Sequence, residues 1–420
     1  MRRTTRWTAA TALALSMGAT GLGVPATAAP GTSAAAPAAA VSPGASRIEG
    51  GDLRRAMRAV TRAGGVGVVV HVVRDGEVWK GASGVARVGA GRPASPKARF
   101  RAASVTKQLT AVLALQRVAR GEWTMRTRLR DVLPGLWPAR GGVTLRQLLS
   151  HTAGLPDYAV ALTADATTIP KFKRAIGQRR TDRGLVRVAK RLPAPKVGRY
   201  SYSNTGFVLV GMMLERQTGR SLPSLMRREV LRPAGMTRSR FARDKRMARP
   251  LLREYGDFGL RHPVDLTGFS PTTFSAAGAL ISTAGDLNRF QLALSRGRLL
   301  PKRLVRAMRS VVAADEATGL QYGLGSYRLP DPCAPADGWV FGHDGLSFGT
   351  ATLSFASDDG RRRVTVAMTG REYTRDQPAY LALQRLFGTA LGETCRGPRP
   401  PTPPISPAPD RGAVAPRLVG

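Results

Sequence analysis

The chain has 420 residues, with 65 lysines and arginines against 27 aspartates and glutamates, four histidines and two cysteines. A content of 43% hydrophobic and 22% charged residues is that of a globular protein with a real core. The sequence contains no HExxH, CxxC or GxxxxGK[ST] motif, which argues against most metal sites and against a phosphate-binding loop. We therefore expect neither a metal nor another cofactor.

The N-terminus predicts export. Three arginines among the first six residues precede a weakly apolar stretch that ends at Ala26-Thr27-Ala28, the build of a secretory signal peptide. The stretch is too short and too rich in glycine, serine and threonine for a transmembrane anchor. We expect residues 1–28 to be removed and the mature protein to be secreted or associated with the cell wall.

A formal net charge of +38 raises nucleic acid as a partner. The basic residues are spread along the chain, however, and no zinc finger, basic zipper or RNA-binding aromatic motif is present. An anionic cell-envelope surface suits an exported cation better. The densest basic stretch, residues 171–180 continuing to 188–192, is a solvated face or a docking patch. We expect no nucleic-acid partner and a monomer.

The pattern along the chain predicts one folded domain. Residues 29–46 are an Ala/Pro-rich linker, residues 47–395 the domain, and residues 396–420 a Pro-rich tail that should not pack. Two apolar runs around Asp75-Gly76 predict a β-hairpin, and residues 339–370 predict two or three more antiparallel strands. Residues 104 to about 310 are mostly helical, and a last helix is expected near residues 377–391. This order predicts an α+β fold, with an antiparallel sheet built from both ends of the domain and a helical insert.

Ser104 and Lys107 form an S-x-x-K motif at the start of a predicted helix. Positions i and i+3 share a helix face, and a neutral lysine there can accept the serine proton if its pKa lies well below the usual value of about 10.4. The helix N-terminus adds N–H groups for an oxyanion. Alone, this spacing is a weak signal, because it also arises by accident.

Two further motifs follow. Tyr202 and Asn204 form a Y-x-N that supplies a proton-relay phenol and an amide for a carbonyl, although a turn tyrosine beside a capping asparagine looks the same. His343 and Gly345 form an H-x-G, in which glycine permits close approach and histidine binds a carboxylate or moves a proton. Neither motif is specific by itself.

In this order, S-x-x-K, Y-x-N and H-x-G resemble the serine β-lactamase and penicillin-binding-protein superfamily. The branch that holds class C β-lactamases, D-alanyl-D-alanine carboxypeptidases and related esterases is the most similar. Residues 99–111, 143–158 and 276–290 also resemble family segments, and the likeness covers roughly residues 50–390. The resemblance implies a β-lactamase/transpeptidase-like fold, with the active site where the sheet meets the insert.

The resemblance also implies roles. Ser104 would be the acylated nucleophile and Lys107 its base or a proton partner, while Tyr202 would protonate the leaving group and help to activate the deacylating water. Asn204 would bind a substrate carbonyl, and the backbone N–H groups of Ser104 and Leu346 would form the oxyanion hole.

His343 stands where class C β-lactamases carry lysine, and it would bind a substrate carboxylate beside Gly345. Leu346 stands where many members carry serine or threonine, which argues against an efficient β-lactamase. The resemblance gives His151 a structural part.

We therefore expect an exported serine hydrolase, with D-alanyl-D-alanine carboxypeptidase activity on peptidoglycan stem peptides as the leading hypothesis. An esterase or a β-lactamase acting on small esters or β-lactams is the alternative within the enzyme class. An inactive penicillin-binding or envelope-binding protein is the alternative from another class.

Two other patterns have simpler explanations. Ser347 lies in a G-x-S-x-G sequence, but no histidine follows it and a strand, not a helix, is expected after it. Cys333 and Cys395 are the two cysteines of the chain, and in an exported protein we expect them to form a disulfide.

Overall fold

The computed structural model describes residues 47–373 and 376–396. The predicted signal peptide, the linker and all but the first residue of the Pro-rich tail lie outside the described residues. No helix in these ranges has both the length and the apolar character needed to cross a lipid bilayer.

The helices are α1 (Gly51–Arg62), α2 (Thr106–Ala119), α3 (Leu129–Val132), α4 (Leu145–Leu149), α5 (Tyr158–Ala161), α6 (Ile169–Gly177), α7 (Asp182–Ala189), α8 (Asn204–Thr218), α9 (Leu222–Leu225), α10 (Ala284–Ser295), α11 (Lys302–Arg309) and α12 (Pro378–Gly392). The strands are β1 (Gly67–Arg74), β2 (Glu77–Gly84), β3 (Phe100–Arg101), β4 (Arg240–Phe241), β5 (Tyr255–Asp257), β6 (Val264–Asp265), β7 (Leu280–Ser282), β8 (Ala313–Ala314), β9 (Gln321–Tyr322), β10 (Tyr327–Pro330), β11 (Trp339–Leu346), β12 (Thr350–Ser357), β13 (Arg362–Thr369) and β14 (Arg371–Glu372). Short 3₁₀ turns include Ala103–Val105, directly before α2.

The main sheet has eight antiparallel strands in the order β2-β1-β13-β12-β11-β10-β9-β8. The N-terminal strand β1 pairs along its whole length with the C-terminal strand β13. The sheet is therefore built from both ends of the domain with the helices between them, and the predicted α+β architecture is confirmed. The expected last helix is α12, displaced by one residue.

The β1–β2 hairpin turns at the predicted residues. Asp75 has φ +50° and Gly76 has φ +96°. Two consecutive residues with positive φ match the right-handed twist of the flanking strands, and Asp-Gly supplies them at low cost. The local sequence is sufficient to specify this connection.

Each face of the sheet is covered by helices. Leu53, Met57 and Val60 on α1 lie one and two helical turns apart, are buried, and pack with Phe387 of α12 against one face. The opposite face packs on the insert through α2, α8 and α10, with Val69 of β1 in the same cluster. Both faces of β1 are thus apolar, as its run of valines indicates.

Two small sheets are built from short strands that the sequence pattern did not predict. One small sheet has the order β3-β7-β4 and another the order β14-β5-β6. Strands of two or three residues show no alternation, and their partners lie far away in sequence. The first of these sheets holds β3 three residues before Ser104, so it matters for the site.

The structure joins Cys333 and Cys395, whose Cα atoms lie 5.0 Å apart. The bond ties the loop between β10 and β11 to the end of α12 and closes a loop of 62 residues. In the chain-entropy approximation, reduction should lower the free energy of unfolding by about 4 kcal/mol. Denaturant titration with and without reductant measures this difference.

The matching chemical test is alkylation of the denatured protein. Neither cysteine should react before reduction, and both should react after it. Labelling of both thiols without reductant would show that the bond does not form in the protein.

Candidate active site

Ser104 is placed by a sharp connection between β3 and α2. Ala102 donates its N–H to the carbonyl of Leu280 at 2.8 Å, which anchors the end of β3 on the small sheet. Ala103 then adopts φ +46°, a conformation that costs a residue with a Cβ about 1 kcal/mol or more. The turn leaves the Ser104 side chain half-buried just before the N-terminus of α2, where a substrate can reach it.

The serine, the lysine and the tyrosine of the predicted motifs meet at one oxygen. Ser104 Oγ lies 2.9 Å from Lys107 Nζ and 2.8 Å from the hydroxyl of Tyr202. Lys107 is fully buried, and its Nζ lies 4.8 Å from the centre of the Tyr202 ring. The structure thus brings together residues that are 98 positions apart in the sequence.

The surroundings of Lys107 Nζ can serve either protonation state of the amine. Nζ lies 2.7 Å from Asn204 Oδ1 and 3.1 Å from the carbonyl oxygen of Ala277, both of which can only accept hydrogen bonds. An ammonium group would donate to these two oxygens and to Ser104 Oγ. A neutral amine, the state that a base requires, can donate its two protons to the first two oxygens and direct its lone pair at Ser104 Oγ. In that state the Ser104 O–H donates to Lys107, while Tyr202 donates to the same oxygen.

This arrangement can perform acyl transfer. As Ser104 Oγ attacks a carbonyl carbon, its proton can pass to Lys107 Nζ, and the Tyr202 hydroxyl can give a proton to the leaving group. Because all three atoms are already within hydrogen-bond distance, little rearrangement precedes the first step.

Asp157 joins this network, although it belongs to none of the three sequence motifs. Its Oδ2 accepts from Asn204 Nδ2 at 2.9 Å, and its Oδ1 caps α5 by accepting from the Ala159 N–H at 3.0 Å. The amide of Asn204 is thereby held with Oδ1 towards Lys107. The signal in the sequence was an aspartate directly before a short helix, which by itself indicates only a cap.

Burial raises the pKa of Asp157 from 3.8 to about 6, although the hydrogen bond from the Ala159 N–H, the positive charge of Lys107 and the hydrogen bonds from the side chain and backbone of Asn204 lower it. Above pH 6 the carboxylate is ionised, and its charge favours the ammonium form of Lys107, which cannot accept a proton. Asp157→Asn should therefore move the rise of kcat/KM with pH towards lower pH by about one unit. A pH–rate profile on a neutral ester measures the shift.

Asp182→Asn is the matched control, because burial also raises the pKa of this carboxyl, which lies at the start of α7 and outside the three motifs. Its profile should coincide with that of the wild type. A displacement towards higher pH in Asp157→Asn would contradict the proposed coupling.

Gly345 lies against the nucleophile turn. A Cβ at this position would lie 2.2 Å from the carbonyl oxygen of Ala102 and 3.1 Å from the backbone nitrogen of Ser104. The end of β11 can approach the turn only because residue 345 is glycine. The segments that carry the N–H groups of Ser104 and Leu346 are thus adjacent, as an oxyanion hole requires.

His343 occupies a different position from the one expected for a carboxylate ligand. Its side chain is completely buried, between the rings of Tyr322 and Tyr327. Nδ1 faces the carbonyl of Asp344 and therefore carries the proton, so Nε2 accepts from the Tyr322 hydroxyl at 3.0 Å. In this geometry both ring nitrogens form hydrogen bonds within the protein, and the imidazole packs inside the protein next to the site.

The burial of His343 also determines how its charge depends on pH. Burial lowers the pKa of His343 below its ordinary value of 6.5, although the neighbouring Asp344 acts in the opposite direction. The ring is then neutral above pH 6.5, so a rise in pH above this value removes no positive charge that a substrate carboxylate could have used. We expect KM for a peptide with a free terminal carboxylate to stay flat from pH 6.5 to pH 8. A KM that climbs through this range would restore direct carboxylate binding.

The surroundings of His151 agree with the structural part that the family resemblance implies. Its ring is 4.3 Å from that of Tyr202, centre to centre, and Nδ1 accepts from the Ser203 N–H at 3.1 Å. It is buried and supports the tyrosine from behind.

Ser347, the serine of the G-x-S-x-G sequence, is buried and donates to Glu254 Oε2 at 3.1 Å. Burial raises the pKa of Glu254 from 4.5 to about 7 despite its partner Arg101. The strand β12 follows Ser347, as expected, so this serine belongs to the frame of the site. Within the described residues, no group of three or more histidine, cysteine or acidic side chains converges as a metal site would.

Comparison with known proteins agrees with this geometry. The Beta-lactamase family model matches residues 53–388. The chain is 29% identical to penicillin-binding protein 4 of Amycolatopsis lactamdurans, over 67% of this chain and 75% of that protein. It is 30% identical to esterase EstB of Burkholderia gladioli, over 66% of this chain and 81% of that protein.

Among solved structures, a D-stereospecific amidohydrolase from Streptomyces sp. is similar with a TM-score of 0.69 at 28% identity, covering 76% of this chain and 93% of that one. The family match contains all three motifs and most of the described domain. The chain therefore belongs to the beta-lactamase family and is a serine hydrolase of the β-lactamase fold.

Proposed function

We propose that the protein is exported and hydrolyses the D-alanyl-D-alanine ends of peptidoglycan stem peptides through an acyl-enzyme on Ser104. The observation that carries the acyl-enzyme is the pair of hydrogen bonds at Ser104 Oγ, to Lys107 and to Tyr202. A D-amino acid substrate is supported by the similarity to a D-stereospecific amidohydrolase and to a penicillin-binding protein. Export is supported by the signal-like N-terminus and by the cysteine pair.

The proposed reaction has two halves. Ser104 Oγ bonds to the carbonyl carbon and its proton passes to Lys107. The C–N bond then breaks, the electron pair leaves on nitrogen, and Tyr202 protonates the departing D-alanine. Lys107 returns the proton to Tyr202. Water then attacks the acyl carbon and gives a proton to Tyr202 or Lys107, and as the C–Oγ bond breaks this proton passes to Oγ, which restores Ser104 and releases the carboxylic acid.

Ester hydrolysis is the second candidate. Leu346 places an apolar side chain where family members that bind carboxylates often carry a hydroxyl, and His343 is buried. Neither group offers a terminal carboxylate a charged partner. The similarity to esterase EstB points in the same direction.

The test is turnover of a D-Ala-D-Ala peptide, a short-chain p-nitrophenyl ester and a penicillin by the same preparation, with Ser104→Ala as the blank. We expect the highest kcat/KM for the peptide. Ester turnover far above peptide turnover at every pH would replace the carboxypeptidase with an esterase, and rapid penicillin hydrolysis would replace it with a β-lactamase. A stable penicillin adduct without turnover of any substrate would mean a binding protein.

A further inference from the structure

A cavity of about 620 Å³ lies away from the three motifs, between the loop after β2 and the loop before β5. Neither Ser104 nor its partners line it. Three backbone hydrogen bonds join its walls, from Arg99 to Pro250 at 2.8 Å, from Leu252 to Arg99 at 2.9 Å and from Arg253 to Ala86 at 3.1 Å. The cavity, called the basic cleft below, thus has a defined shape.

The basic cleft is lined by five cations and, within the described part of the chain, by no acidic side chain. The cations are Arg87, Arg92, Lys245, Arg249 and Arg253. Arg253 pairs with Asp265 at 2.9 Å. The other four are exposed and make no ion pair with any described residue.

The basic cleft also has an apolar part to its lining. Its apolar residues are Ala86, Ala90, Pro93, Ala98, Met247, Pro250 and Leu251, of which Ala98 is buried and Ala86, Met247 and Leu251 are half-buried. Ser95 and Thr267 add two neutral hydroxyl groups. The lining therefore combines apolar side chains with cations. A simple inorganic anion would contact only the cations and would leave the apolar side chains in water.

We propose that the basic cleft binds an amphipathic anion, a phosphate or carboxylate head group joined to an apolar chain. An arginine side chain can bind such a head group through two parallel hydrogen bonds, and several neighbouring cations attract the anion more strongly than one cation does. The apolar side chains of the cleft would cover the attached chain, and removing that chain from water adds binding free energy that inorganic phosphate lacks. The volume lies within the range of about 300–1,000 Å³ in which proteins hold small ligands.

The exposed basic residues of α6 provide a direct comparison. Lys171, Lys173 and Arg174 belong to the densest basic stretch of the sequence, are exposed, and do not line the basic cleft. If net charge alone attracts anions, the two groups should contribute alike.

The experiment measures binding of dodecyl phosphate below its micelle concentration by titration calorimetry of the full mature protein. We expect one site in the wild type and weaker binding of inorganic phosphate and of dodecyl maltoside. The variant R87Q/R92Q/R249Q should weaken dodecyl phosphate binding by about tenfold or more, since each lost charge-assisted hydrogen bond accounts for about a factor of ten. The variant K171Q/K173Q/R174Q removes the same charge and should change binding less than about threefold.

Vesicles of phosphatidylglycerol distinguish the source of the head group. If the wild type binds these vesicles and R87Q/R92Q/R249Q does not, the ligand is a lipid in a bilayer. If the wild type binds monomeric dodecyl phosphate but not the vesicles, the ligand is a soluble amphiphile. Equal losses in the two triple variants would show a general charge effect and overturn the proposal. So would equal affinity for inorganic phosphate and dodecyl phosphate. Hydrolysis of a small ester should remain unchanged in both variants, which confirms that they fold.

Discussion

Ser104→Ala should lower kcat by about three to six orders of magnitude on whichever substrate the enzyme prefers. The loss follows from the chemistry, because Ser104 Oγ is hydrogen-bonded to both Lys107 and Tyr202, the proposed base and the proposed acid. The substitution removes one oxygen from a half-buried side chain and should leave the fold intact. Steady-state kinetics, together with a thermal melt, measures both effects.

Ser347→Ala is the matched control, since it removes a hydroxyl from the G-x-S-x-G sequence. This oxygen donates to Glu254 and accepts from the Gly349 and Thr350 N–H groups, so its loss should reduce stability. Most of the turnover should remain. If Ser347→Ala lost turnover and Ser104→Ala retained it, Ser347 would be the nucleophile and Ser104 would be a structural residue.

Lys107→Met should lower kcat/KM by about two to four orders of magnitude, the usual contribution of a positioned acid or base. Methionine fills the buried space but offers no lone pair to the Ser104 proton. Lys107→Arg should be no better, because a guanidinium stays protonated and cannot act as a base. The alkaline rise of the pH–rate profile should disappear in both variants, which a purely structural loss would not cause.

Lys302→Met serves as the control for the loss of a lysine, since Lys302 is exposed at the start of α11, away from the motif residues. It should be kinetically silent. Wild-type activity in Lys107→Met would remove the lysine from the mechanism and leave Tyr202 as the base.

The sequence could predict the parts of the site that depend on local spacing. Ser104 and Lys107 are three residues apart at a helix start, so their contact follows from helix geometry. The hairpin at Asp75-Gly76 is local as well. The roles of Tyr202 and Asn204 were available only through resemblance to a family, because nothing near them in sequence indicates that they meet a serine about a hundred positions earlier.

Other features depend on tertiary packing. Asp157 reaches Asn204 across 47 residues, and its pKa is set by burial that no sequence motif records. His343 was expected at a substrate carboxylate because of its motif. Its ring instead packs between Tyr322 and Tyr327, a consequence of how β9, β10 and β11 pair.

The most direct test of the central claim is the position of the covalent intermediate. After incubation with a penicillin and rapid acid quenching, tryptic digestion releases the peptide Ala102–Lys107, which contains Ser104 as its one serine. We predict that this peptide gains the mass of the penicilloyl group, that Ser104→Ala gains none, and that the peptide containing Ser347 stays unmodified. An adduct on another peptide, or substrate turnover with no adduct on Ser104, would contradict the acyl-enzyme.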